Sequence, residues 1–78
     1  MAREAKEKVE AEKERIFKLA ASAIEYTLSA LKYATVFDDT LHARISIEYA
    51  LEYLSALKDA LKGLEELLKR EKEASSKG

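Results

Sequence analysis

The chain contains no cysteine, proline, asparagine, glutamine or tryptophan, and its one histidine is His42. Without cysteine there is no disulfide and no thiolate metal site. A single histidine rules out a multi-histidine metal centre within one chain. Glycine is confined to Gly63 and Gly78, so no glycine-rich loop can cradle a phosphate. No apolar run reaches membrane-spanning length, because the most apolar stretch, residues 19–37, is interrupted by Glu25 and Lys32. From Arg3 to Arg15 acids and bases alternate where a secretory signal needs an apolar core. A cytoplasmic location with no membrane partner is therefore expected.

With 78 residues there is room for one domain at most. A domain this small buries little core and ordinarily needs a staple: a disulfide, a metal or a second copy of itself. Association is the staple left. Charged residues make up 37% of the chain and nearly cancel, to a formal net charge of −1. That balance exerts no long-range pull on nucleic acid or anionic lipid. At 47%, the hydrophobic content is too high for a disordered chain. Abundant Glu and Lys with no Asn or Gln resembles a hyperthermophile composition, and equally that of an idealised designed helical protein.

Apolar residues recur at helical spacing along almost the whole chain. In the first half a seam runs through Val9, Ile16, Ala20, Ala23, Thr27, Ala30, Ala34 and Phe37. Phe17, Ile24, Leu28 and Leu31 flank it on one side, and Leu19, Tyr26 and Tyr33 on the other. In the second half Ile47, Ala50, Leu54, Leu57, Leu61, Leu64 and Leu68 form the seam. Ile45, Tyr49, Tyr53, Ala56, Ala60 and Leu67 widen it. A helix that packs on one neighbour needs an apolar stripe of roughly 100°. These stripes are far wider, yet each helix has only one partner within the chain.

The break falls at residues 35–40. Asp38, Asp39 and Thr40 all suit a helix N-cap, because their side-chain oxygens accept first-turn amides and their charge matches the helix terminus. The expected architecture is all-α: a helix over about 3–36, a turn at 37–39, a second helix over 40–73 and a frayed tail at 74–78. So short a connection makes the helices antiparallel. Association of two such hairpins into a four-helix bundle is the expected completion. Gly63 lies inside the second pattern and costs about 1 kcal/mol relative to Ala. Leu64, Leu67 and Leu68 keep phase across it, which favours one continuous helix with a close contact or slight bend over a broken one. Glu65 with Lys69, and Glu66 with Arg70, are spaced for i,i+4 pairing.

Tyr26, Ala30 and Tyr33, then an acid at the turn (Asp38 or Asp39), then Ala43, Tyr49-Ala50, Tyr53-Leu54 and Ala56 form a pattern over residues 26–63. This pattern resembles the archaeal family known as domain of unknown function 357. Ser29 and Ser55 stand where that family tends to carry Asp, and Phe37 lies where its turn usually has Gly. The resemblance implies an archaeal helical hairpin and carries no activity.

No grouping of side chains points to catalysis. His42 sits in the first turn of the second helix, where exposure or a local hydrogen bond is expected, and no Ser or Asp is set with it in a nucleophilic motif. Arg44 follows His42, the reverse of the order in helical nucleases that place Arg before His. Glu48 and Glu52 share a face but lack the i+3 His of bundle metal sites. The four tyrosines border the apolar faces, with rings packed and hydroxyls at a wet edge, or else line a groove for a peptide or small ligand. The expectation is therefore a non-enzymatic interaction module with no cofactor and no metal. Its partners would be itself, as a dimer, and a further protein. Candidate interface residues are Ala23, Thr27, Ala30, Ala34, Tyr26, Tyr33, Tyr49, Tyr53, Leu57, Leu61 and Leu64. The alternative is a nucleic-acid-associated accessory protein whose basic surface forms only in the oligomer.

Overall fold

Two helices make up the described residues, joined by a short turn: α1, Ala2–Thr35, and α2, Thr40–Lys77. The computed structural model describes residues 2–77, with the side chains of residues 4 and 6–73. The helices pack side by side as a hairpin measuring 60 × 15 × 13 Å. Its radius of gyration is 17.6 Å, against about 11.5 Å for a compact domain of this length. The all-helical hairpin expected from the sequence is the fold, and its shape is a rod.

The turn is built from local hydrogen bonds. The Val36 and Phe37 amides donate to the Lys32 carbonyl at 2.9 and 3.4 Å, which closes the last turn of α1. Asp38 then adopts φ 53°, a left-handed conformation that Asp tolerates better than most residues. This reversal carries the Asp39 amide to the Tyr33 carbonyl at 2.8 Å. Asp39 is the N-cap of α2, its Oδ1 accepting from the His42 backbone amide at 3.0 Å. The His42 ring nitrogen Nδ1 lies 2.6 Å from Asp39 Oδ2. An ionised carboxylate only accepts, so the ring is the donor.

The bond from the His42 backbone amide, with the His42 side chain beside it, holds the Asp39 carboxyl below its ordinary pKa. The folded-state pKa therefore lies below the unfolded one. The cap's contribution is complete above the ordinary carboxylate range and is lost as pH falls through the lowered value. Asp39→Ala should lower the melting temperature by several degrees at neutral pH. Thermal melts of both proteins should converge as the pH is taken below the carboxylate range.

α2 is continuous through Gly63 and continues to Lys77, past the point where fraying was expected. Between Gly63 and Gly78 there is no glycine or proline to stop it. A Cβ added at Gly63 would meet nothing nearer than Glu12 Oε2 at 3.8 Å, an ordinary contact. No close helix approach requires this glycine. Gly63→Ala should therefore stabilise the protein by about 0.5–1 kcal/mol. That corresponds to a rise of roughly 2–8 °C in a thermal melt at fixed protein concentration. Apart from Asp39 with His42, the ion pairs between described side chains fall on α1: Lys13–Glu10 at 3.8 Å, Arg15–Glu12 at 3.6 Å and Lys18–Glu14 at 3.4 Å. The anticipated pairs of Glu65 with Lys69 and Glu66 with Arg70 are not among them.

The core differs from the expected seam. Among the described residues the buried set is Val9, Ala23, Ala30, Ser46, Ala50 and Ala60. Among the described residues no large side chain is fully buried. On α2 the anticipated seam splits. Ala50 is 2% exposed, whereas Ile47, Leu54, Leu61 and Leu68 are 41–48% exposed. On α1, Thr27 and Ala34 also face outward, as does Phe37 in the turn. Ala60, expected on the flank, is 2% exposed. The line of contact is thus rotated on both helices toward the tyrosines. Alanines let the backbones approach, and the tyrosine rings then close over the line, each contributing a large contact area.

Candidate functional site

The hairpin has two broad sides, one aromatic and one apolar. The aromatic side is built from residues that the turn brings opposite one another. Tyr26 stacks between Tyr49 and Tyr53, with ring centroids 5.3 and 5.6 Å away. Nearer the turn, Tyr33 stacks on His42 at 5.3 Å and meets Phe37 at 6.1 Å. Lys32 Nζ lies 5.8 Å from the Phe37 ring centroid, within cation–π range. The faces of Tyr26 are occupied by its neighbours, so this ladder ties α1 to α2. Tyr49 remains 48% exposed, so the ladder is open to solvent on its outer side. His42 engages the cap and the Tyr33 ring, a structural setting. Among the described residues no group of three or more His, Asp or Glu side chains is placed to hold a metal ion.

The opposite side is apolar and open. Ala20, Ala23, Ile24, Thr27 and Leu28 of α1 line a groove with Leu54 and Leu57 of α2, enclosing about 380 Å³. The Thr27 hydroxyl donates to the Ala23 carbonyl at 2.8 Å, so the groove wall there is effectively apolar. Ile24, Leu28 and Leu31 are 59–60% exposed and Phe17 is 74% exposed. Phe17, Ile24 and Leu31 are seven residues apart, as are Ile47, Leu54, Leu61 and Leu68. Ile24 and Leu54 line the same groove, so both rows run along one side of the hairpin. A larger hollow of about 850 Å³ borders Lys6, Glu7, Glu10, Ala11, Lys13 and Glu14. All six belong to one helix, so this hollow is the depression beside a rod and no concave site.

The anticipated interface residues therefore separate into groups. Ala23 and Ala30 are buried between α1 and α2 of the same chain. Tyr26, Tyr33, Tyr49 and Tyr53 belong to the aromatic ladder. Thr27 and Leu57 line the groove, Leu61 and Ala34 are exposed, and Leu64 is half-buried. Phe17, Ile24, Leu28 and Leu54 were absent from that set and form most of the open side. The seven-residue spacing of Phe17 with Ile24 and Leu31, and of Leu54 with Ile47 and Leu61, is the available signal, masked because the alanine rows fit a seam equally well. No helix among the described residues is long and apolar enough to cross a membrane. No family model matches this chain, and no curated protein or solved structure matches it either.

Proposed function

We propose that this chain is an assembly module, a hairpin that pairs with a second copy through its open apolar side to form a four-helix bundle. The observation that carries the reading is the area left uncovered. The hairpin exposes 6443 Å² at 8.8 kDa, whereas a folded monomer of that mass exposes about 4,800 Å². The excess of roughly 1,600 Å² per chain includes the large apolar side chains of both seven-residue rows. A stable interface covers about 800 Å² per partner, and obligate homodimers cover more. The shape contributes as well, since a rod two helices thick buries only a narrow line of mostly small side chains.

The seven-residue spacing supports a helical partner. Rows at this period face a neighbouring helix continuously when the helices wind into a left-handed supercoil. In such a bundle the aromatic ladder remains on the outside, where it is available to a further protein. The residues that resemble the domain of unknown function 357 pattern, among them Tyr26, Ala30, Tyr33, Ala50 and Tyr53, lie on the hairpin's own seam and ladder. Read this way, the likeness is one of hairpin packing. Sedimentation equilibrium at micromolar concentration tests the assembly: a two-chain mass is expected, and a one-chain mass refutes it.

A further inference from the structure

We infer that the tyrosine ladder is an oxidation site, at which a one-electron oxidant couples Tyr26 of α1 to Tyr49 or Tyr53 of α2 and so ties the helices covalently. This site is independent of the assembly reading. The groups that ordinarily take up oxidants are Cys and Met. The chain has no Cys, no Trp and no Met beyond Met1, which leaves the phenols.

Three of the four phenols form one stack. Tyr26 lies 5.3 Å from Tyr49 and 5.6 Å from Tyr53, centroid to centroid, with ring planes inclined by 28° and 18°. Such separations are direct ring contact. Tyr49 is 48% exposed, so an oxidant reaches the stack from solvent. Tyr33 is the internal control. It lies seven residues from Tyr26, about two helical turns along α1. Its ring neighbours are His42 at 5.3 Å and Phe37 at 6.1 Å, and neither is a phenol. A radical formed on Tyr33 therefore has no second phenol in contact with it.

In the coupling, two equivalents of oxidant remove one electron from each of two rings, and each hydroxyl releases its proton to water. The two phenoxyl radicals join through ring carbons adjacent to those that bear oxygen. Each joined carbon then passes its hydrogen to the oxygen as its ring regains aromaticity. Both hydroxyls are restored, and the net loss is two electrons and two protons. Partners held in contact react as if at very high concentration, so the bond within the chain forms ahead of any between chains. It closes the loop that runs through the turn and thereby restricts the unfolded chain. This supplies the covalent staple that a chain without cysteine lacks.

The test exposes the folded protein, at micromolar concentration, to tris(bipyridine)ruthenium(III) generated by light with persulfate. Trypsin cuts after Lys18, Lys32, Arg44 and Lys58, which puts Tyr26, Tyr33 and the Tyr49–Tyr53 pair on three separate peptides. Mass spectrometry should find residues 19–32 joined to residues 45–58, two hydrogens lighter than the separate peptides, in a product of one-chain mass. Cross-links through Tyr26 should outnumber those through Tyr33 by at least about ten-fold, and the preference should vanish in concentrated urea. Tyr26→Phe keeps the ring and removes its phenol, so the joined peptide should disappear. Tyr33→Phe should leave it unchanged. The cross-linked chain should melt several degrees above the untreated one at the same concentration. Absence of the joined peptide, equal participation of Tyr33, coupling confined to Tyr49 with Tyr53, or bonds only between chains would overturn the site. A melt that does not rise would overturn its role as a staple.

Discussion

Ile24→Glu should leave single hairpins at micromolar concentrations where the proposed assembly gives the parent a two-chain mass. Within one chain Ile24 is 59% exposed and borders the groove formed with Leu54. A charged side chain there remains in water in the lone hairpin and disturbs little. In a bundle the same position faces the apolar rows of the second copy. Burying an unpaired carboxylate costs at least about 3 kcal/mol, which weakens association a hundred-fold or more. Because a folded dimer is stabilised by mass action, the variant's melting temperature should also lose its dependence on concentration. Helical circular dichroism should persist at low temperature, which distinguishes lost pairing from lost folding. If the variant keeps the two-chain mass, the Ile24 side is not the interface.

Ala50→Leu should have the largest effect on folding itself. Ala50 is 2% exposed in the line where α1 meets α2, and most of the other buried residues are also alanines. Small side chains set this helix separation, so three added carbon atoms must push the helices apart or force a strained rotamer. Such overpacking costs about 1–3 kcal/mol. A chain of this length has only about 4–12 kcal/mol of stability in total. A fall of roughly 10 °C in a thermal melt at fixed concentration is expected. Ala30→Leu should behave alike, because Ala30 is 5% exposed in the same line. Ala34→Leu is the control: Ala34 faces outward, and its melt should shift by no more than a few degrees. An equal loss for all three variants would mean that the contact line is not where the buried alanines place it.

These two predictions separate surfaces that the sequence merges. From spacing alone, the alanine rows and the leucine rows both fit a helix seam, because each recurs at threes and fours. The structure assigns the alanines to the contact within the chain and leaves the seven-residue rows of Ile, Leu and Phe open. The aromatic ladder was half legible. Four tyrosines at the border of an apolar face were visible, but the partner of each ring was not. Pairing Tyr26 with Tyr49 and Tyr53 requires knowing the register of two helices, and the turn fixes it.

Local chemistry is what the sequence by itself determined. The helical period, the lack of proline and the acids at 38–39 dictate two long helices and one break, because each acts through neighbouring backbone. The absences of cysteine and of a second histidine likewise need no coordinates. Only the tertiary structure decided which face of each helix meets the other. A wide apolar stripe leaves that rotation open, and side-chain size resolves it. Alanines allow the closest approach, tyrosines cover the line, and the larger aliphatic side chains remain on the far side, where this reading seats a second copy.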